Sequence, residues 1–421
     1  MKHTKILTLI GAALACGVFV QQSALAGGID LYEISTPDVG LASAGYAAGA
    51  QDASTLFKNP AGMSLLTGPQ LESSLQVLYG NVQFQGNSKT TTSGGNGQNA
   101  IGALPGASLF VTYPVTEKLT VGLGTFSYFG LSENYGDHWA GRYYLQKGTL
   151  LGMTFMPAAS FKVNDWLSIG GGLNAMYGYL AGQVAVNNLG PNDGQMKINN
   201  HQWGFGGNAG ILIQPRPGTR IGVNYLSQVD LNFSARPGFT GLGPGLSILL
   251  ANPPQLNMGM TVPQSVMAGV YQELNDQWAL LADVGWQNWS QFGEVAIGID
   301  SATPKNLTAQ LHFDDTWHGA IGAEYKASEQ WRFTGGFAYD TSAVSDANRS
   351  VVLPVGQAFR YGLGAFWKVS QSVDLGAAYE LVWGGNMPVT QGSPTAYRGE
   401  VSGAFNNAFF SFLSVNLNWR F

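Results

Sequence analysis

The chain ends in eight residues that alternate strictly. Ser414, Asn416, Asn418 and Arg420 fall on one face of a strand, and Val415, Leu417, Trp419 and Phe421 on the other. Successive side chains of a strand point to opposite sides, so this segment has one polar and one apolar face. A polar lumen behind a lipid-facing exterior produces that pattern, and so does the edge of a soluble sandwich. Two further features separate these readings. Charged residues make up 11% of the chain, against roughly 25% in soluble domains. After the first twenty residues, no uninterrupted apolar run approaches the ~18 residues that a spanning helix requires. Only helices and closed barrels satisfy every backbone hydrogen bond in lipid. The expectation is therefore an all-β protein, a transmembrane antiparallel β-barrel.

The first residues form a signal-peptide pattern spanning residues 1–26. Lys2 and Lys5 supply the positive start, residues 6–20 the apolar stretch, and Ala24-Leu25-Ala26 a small-residue cleavage site. A short membrane anchor is the alternative, but the stretch is too short to span comfortably. Cys16, the single cysteine, lies inside this leader in a faint likeness to a lipoprotein box, with Ala13 where a larger apolar residue belongs. Cleavage would leave no cysteine, which excludes disulfides and thiolate catalysis. It would also make the chain more acidic than its formal charge of −5, which argues against nucleic acid as a partner.

Residues 27–67 differ in texture from the rest of the chain. They are rich in Ala and Gly, as in residues 41–50, and lack strand alternation. Small residues let backbone approach backbone, so this stretch reads as a compact plug of short helices; a loosely ordered periplasmic leader has the same composition. Residues 68–421 have the texture of a barrel. Tight polar turns recur at Glu117-Lys118, Asn164-Asp165, residues 215–218, Asn275-Asp276, Ser328-Glu329 and Ser370-Gln371. Trp166, Trp278 and Trp331 come just after three of them, where an interfacial aromatic girdle belongs. Longer polar or Gly-rich stretches lie between, at residues 87–105, 134–148, 187–200, 236–255, 293–306, 344–354 and 384–407. Short turns on one side and long loops on the other are the asymmetry of outer-membrane barrels. The count is about 14 strands, an even number that returns both ends to the periplasm.

Catalysis has little support. The histidines beyond the leader are His138, His201, His312 and His318, and no Gly-x-Ser-x-Gly elbow stands between a strand and a helix. On a continuous strand His312, Asp314, Thr316 and His318 would share a face. Their spread, about 20 Å from end to end, is too long for both histidines to hold one ion, so a polar lumen stripe is the expected reading and no metal or other cofactor is implied. The segment 236–255 is more informative. Phe239, Leu242, Leu246, Ile248, Leu249 and Leu250 project from an outer loop, and each is worth roughly 1.5–3 kcal/mol when buried. They form either a capture surface for hydrophobic solutes or a helix capping the barrel mouth, and the two are compatible.

Several patches resemble the long-chain fatty-acid and hydrophobic-compound transporters of Gram-negative outer membranes (the FadL/TodX family). Residues 40–68 resemble that family's N-terminal hatch: a run of small residues, then Asp52-Ala53-Ser54-Thr55, then Asn59-Pro60-Ala61-Gly62 just before the first strand. Residues 119–135, including Phe126-Ser127-Tyr128-Phe129-Gly130-Leu131, resemble its third strand, continued by Asp137, Trp139, Gly141 and Arg142. The resemblance implies a hatch that plugs the lumen and a passive channel whose cargo leaves sideways through a kinked strand. Phe129 and Gly130 stand where that kink falls, and a Gly inside a strand independently suggests a bulge, although Gly is abundant here. Ile29 and Leu31 are then pocket candidates at the start of the mature chain. No basic residue is placed to meet a carboxylate; Arg142, Lys147 and Lys197 are candidates, and the cargo is left open between fatty acid and hydrocarbon.

The resulting expectation is not an enzyme. It is an outer-membrane uptake channel acting as a monomer, surrounded by lipid and lipopolysaccharide and read by the barrel assembly machinery through Phe421. A general diffusion porin, which needs an open charged lumen, and a barrel-embedded lipase, which needs a Ser/His pair, are the alternatives.

Overall fold

The computed structural model describes residues 29–300 and 305–421, so the expected signal peptide lies outside the described residues. Fourteen antiparallel strands close into a barrel. They are β1 (Gln70–Asn81), β2 (Gly102–Pro114), β3 (Leu119–Asn134), β4 (Lys147–Lys162), β5 (Leu167–Val186), β6 (Gly194–Arg216) and β7 (Thr219–Leu226). The second half comprises β8 (Ser265–Glu273), β9 (Trp278–Gln287), β10 (Thr316–Lys326), β11 (Trp331–Asp340), β12 (Ala358–Lys368), β13 (Val373–Gly392) and β14 (Glu400–Arg420). Each strand pairs with the next, and β14 returns to β1 in register from Gln70↔Arg420 to Asn81↔Phe409. Closure removes the free edges that a bilayer cannot solvate.

Alternation sets which face each residue takes. Along the last strand Val415 and Leu417 are exposed while Ser414, Asn416 and Asn418 are buried in the lumen. The six tight turns fall where the sequence places them, and most are fixed by one polar side chain. Asn164 Oδ1 accepts the Trp166 and Leu167 amides at 3.0 and 2.9 Å. Asn275 does the same for Gln277 and Trp278, both at 2.9 Å, and Ser328 Oγ accepts the Trp331 amide at 3.1 Å. These local bonds compete well with solvent at a chain reversal, and each delivers an exposed Trp to the start of the next strand.

Two segments expected to be loops are largely strand. Glu294–Asp300 and Lys305–Gln310 join Val229–Ala235 and Gln255–Val262 in a four-stranded outer sheet, whose strands follow or precede β7–β10 in sequence and which packs on β5 and β6 through Leu231. Residues 384–407 form the outer ends of β13 and β14, with register shifts around Gly385. In both, Gly and polar residues mask an alternation that continues beyond the bilayer, as Val295 and Ile297 turn partly inward between exposed Glu294 and Ala296.

From Ile29 onward the N-terminal segment packs against the barrel strands. It holds helix α1 (Thr36–Leu41), helix α2 (Thr55–Lys58) and a 3-10 turn at Pro60–Leu65. Ser35 caps α1: its Oγ donates to Asp38 Oδ2 at 2.7 Å, and the same oxygen accepts the Ser35 amide at 3.0 Å. Residues 29–49 are all buried. Glycines of the wall make that possible. A Cβ at Gly336 would lie 1.7 Å from the Leu41 carbonyl oxygen, and one at Gly210 would lie 2.0 Å from Asn59 Oδ1. Backbone of the plug therefore rests directly on backbone of the wall.

Candidate functional site

The wall is irregular in the middle of β3. Within β3 the pairing to β4 shifts between Ser127 and Phe129, and Gly130 has a φ of 151°. A Cβ there would sit 2.6 Å from the Leu150 carbonyl oxygen, so only Gly fits the bulge as built. On the other side, pairing between β2 and β3 runs from Pro114↔Thr120 only as far as Leu109↔Thr125. Above that rung, residues 102–108 stay paired to β1 and residues 126–134 to β4. The seam between β2 and β3 thus has no ladder along its outer half, and the Asn134 amide to Ala100 carbonyl bond, 2.7 Å, closes its top.

The bulge turns its backbone inward, toward the start of the plug. The Leu31 amide donates to the Tyr128 carbonyl at 2.7 Å and the Gly130 amide to the Ile29 carbonyl at 3.0 Å. Asp30 lies between, bridged to Phe129. Buried carbonyl and amide groups need partners, and here the plug supplies those that a straight β2–β3 ladder would have given. Ile29 and Leu31 are fully buried at this point. Phe129 meets the Phe292 ring at 6.0 Å, and Phe292 in turn packs on Trp289 and Phe313 at 5.3 and 5.7 Å. Higher in the barrel, Tyr135 and Trp139 stack at 4.1 Å beside Phe84 and Phe405.

At its other end the plug is held by Asn59. Its side chain accepts the Ala61 amide at 3.1 Å and donates to Ala47 O at 2.7 Å and to Ile211 O of β6 at 3.0 Å. Pro60 and Ala61 lie against Gly170 of β5. Asn59, Pro60 and Ala61 thus join plug, wall and the 3-10 turn in one contact.

A buried ionic network also ties plug to wall. Arg360 of β12 meets Glu33 of the plug, Asp340 of β11 at 2.6 Å and Glu380 of β13 at 3.3 Å. His318 Nδ1 lies 2.7 Å from Asp340 Oδ1, and the Tyr32 ring packs on both His318 and Arg360. Asp283 of β9 accepts the backbone amides of Gly45, Tyr46 and Ala47. Lys58 pairs with Asp38 at 2.7 Å within the plug. Burial alone would lower the Lys58 ammonium, but the charges of Asp38 and Asp52 outweigh it and raise it above its usual range. Sequence reasoning missed this network because its members stand up to 327 residues apart. The available signal was Arg360 on the inward face of an alternating strand, between Phe359 and Tyr361.

Other expected residues are dispersed. His312 and Asp314 are exposed and precede β10, so they share no strand face with buried His318. Among the described residues no cluster of potential metal ligands occurs. Arg142 is occupied by Asp193 at 2.6 Å in the outer loops, while Lys147 and Lys197 are exposed and aligned on neighbouring strands with Gln183 between them. Phe239, in Gly238–Thr240, pairs with the outer end of β6 at Met196. Leu242, Leu246 and Leu250 are half-buried around a short helix, Pro244–Leu249, while Ile248 and Leu249 stand 81% and 76% exposed.

Known proteins share this architecture. The chain is 25% identical over 412 residues to the long-chain fatty acid transport protein of Escherichia coli K12, covering 87% of this chain and 91% of that protein. It is 28% identical to outer membrane protein P1 of Haemophilus influenzae, covering 90% of each. Its fold is that of a FadL homologue from Pseudomonas aeruginosa, with a TM-score of 0.83 at 20% identity over 94% of this chain and all of that one. The toluene transporter TbuX of Ralstonia pickettii superposes with a TM-score of 0.67 at 20% identity, over 93% and 99% of the two chains. The model of the outer membrane protein transport proteins (OMPP1/FadL/TodX) matches residues 17–421. A closed fourteen-strand barrel matched along nearly its whole length by that model is a protein of the outer membrane, and this chain belongs to the OMPP1/FadL/TodX family of transport proteins.

Proposed function

We propose that the chain is a passive uptake channel for hydrophobic compounds, which leave it sideways through the outer half of the β2–β3 seam. The interrupted ladder above Leu109↔Thr125 is the observation that carries this reading. An apolar molecule gains roughly 0.8 kcal/mol for each CH₂ it moves from water into lipid, so an exit into the bilayer is downhill and an exit into periplasmic water is not. Relatives named for long-chain fatty acids and for toluene support a hydrophobic cargo. Ile248 and Leu249 offer the first apolar contact outside the cell, the aromatic cluster around Tyr135 and Trp139 the next, and the bulge at Phe129 and Gly130 the last. Ile29 and Leu31 line that final step, and Asn59, Pro60 and Ala61 keep the plug seated below it. No energy source enters the scheme. The surrounding outer-membrane lipid receives the cargo.

The test is uptake of a hydrophobic solute by cells that lack a channel of their own. Gly130→Val and deletion of Asn59–Ala61 are each expected to change uptake while the barrel still assembles; unchanged uptake in both contradicts the scheme. The packed plug supports this reading over a diffusion porin, and single-channel recording separates them, because a porin gives large steady currents.

A further inference from the structure

The charge inside the barrel bears on what kind of hydrophobic molecule it passes. Among the described residues ten carboxyl side chains are buried, whereas the buried Lys and Arg number three: Lys58, Arg349 and Arg360. All three are already engaged. Lys58 is held by Asp38. Arg360 is surrounded by Glu33, Asp340 and Glu380. Arg349 is held by Asp346 at 2.6 Å and by the Pro388 and Val355 carbonyls, both at 2.8 Å. An arriving carboxylate finds no free buried cation, and an unpaired charge in such a site is strongly disfavoured.

At the bulge itself the polar group is an acid. Asp30 is 6% exposed. Its Oδ2 accepts from Gln287 Nε2 at 3.2 Å, and its Oδ1 has no hydrogen-bond partner. Three residues beyond Gly130, buried Glu133 accepts a long contact, 3.4 Å, from the Tyr135 hydroxyl. The neighbouring polar groups are neutral: Tyr128 accepts from Asn174 at 2.7 Å, and Trp289 donates to Gln287 at 2.9 Å. Arg142, the candidate nearest to this route, is paired with Asp193 in a loop, and Lys147 and Lys197 are exposed.

Resting on the channel reading above, we propose that the cargo crossing this site carries no negative charge: the channel takes neutral chains such as hydrocarbons, long-chain alcohols and esters, and Asp30 and Glu133 reject ionised fatty acids. When ionised, the two carboxyls flanking the bulge repel an anion there, and the buried cations, all engaged elsewhere, do not compensate it.

Oleyl alcohol and oleate share one hydrocarbon chain and differ in the head group, so they separate charge from length. Entry of each is measured with labelled compound at alkaline pH, in outer-membrane vesicles from a strain without its own channel, with and without the full protein. The protein is expected to raise alcohol entry by about tenfold, a difference of ~1.4 kcal/mol, and to leave oleate near background. Oleate entering as fast as the alcohol overturns the inference and leaves the channel reading intact. Entry of neither overturns the channel reading and this inference with it. In the double variant Asp30→Asn, Glu133→Gln the ratio of oleate to alcohol entry is expected to rise about tenfold. An unchanged ratio in a variant that assembles and still carries the alcohol contradicts the role of these two groups.

Discussion

The amide of Gly130 donates to the carbonyl of Ile29 at 3.0 Å, so the strand whose bulge interrupts the wall is tied to the first described residue of the plug. A conventional strand would give that amide to its neighbour in the sheet. Here the plug takes the neighbour's place, and any movement of its first residues alters the bonding of β3 at the seam.

Gly130→Val fills the space against Leu150 O and forces a β-branched residue to a φ of 151°. Strain of that kind is worth on the order of 1–3 kcal/mol. The variant is expected to relieve it by flattening the bulge, which narrows the seam and lowers hydrophobic uptake several-fold, measured beside the amount of folded barrel.

Asn59→Ala removes three hydrogen bonds at the foot of the plug. Leaving their partners unsatisfied costs about 1–3 kcal/mol each at most. The expected result is an intact barrel with a loosened plug, seen as short-lived ionic currents in planar bilayers that the parent protein lacks. Gly210→Ala, whose methyl would collide with Asn59, is expected to show the same currents.

Arg360→Met strips the cation from Glu33, Asp340 and Glu380. Removing one partner of a buried ionic group costs about 3–5 kcal/mol. Its thermal unfolding in detergent is expected at a clearly lower temperature, and addition of Glu33→Gln is expected to recover part of the loss.

Burial pushes the Asp30 carboxyl well above its ordinary range. Docking of the plug's first residues therefore takes up a proton, so its stabilisation is full below the unfolded value near 3.8 and declines as pH rises toward the folded value. Hydrogen exchange at Leu31 and Gly130, referenced to Asp30→Asn to remove the intrinsic pH effect, is expected to quicken over that interval; a flat difference would contradict it.

Much of this molecule was legible in its sequence. Turn residues such as Asn164 and Asn275 act locally, and the Trp that comes after each is sorted by its affinity for the membrane interface, so periodic barrel and girdle could both be read. The bulge at Gly130 was legible through resemblance and through a Gly within a strand. What escaped reading was set by tertiary contact. The pairing of Glu33 with Arg360 leaves no periodic trace. The outer strands Glu294–Asp300 and Lys305–Gln310 belong to a sheet separate from the barrel wall, so their sequences lack the contrast that marks β14. The separation of His312 from His318 depended on where β10 begins, at Thr316, and strand boundaries are the least certain part of any pattern.

Exit through the outer half of the β2–β3 seam can be blocked by fastening that seam. Ala107→Cys and Ser127→Cys stand just above the last paired rung, while Leu109→Cys and Thr125→Cys occupy that rung itself; both pairs are made with Cys16→Ser. Hydrophobic uptake is measured oxidised and again after reduction. A disulfide at 107 and 127 is expected to lower uptake by about tenfold, reduction to restore it, and a disulfide at 109 and 125 to have no effect. Full uptake through a barrel shown to be cross-linked at 107 and 127 would contradict exit through the seam.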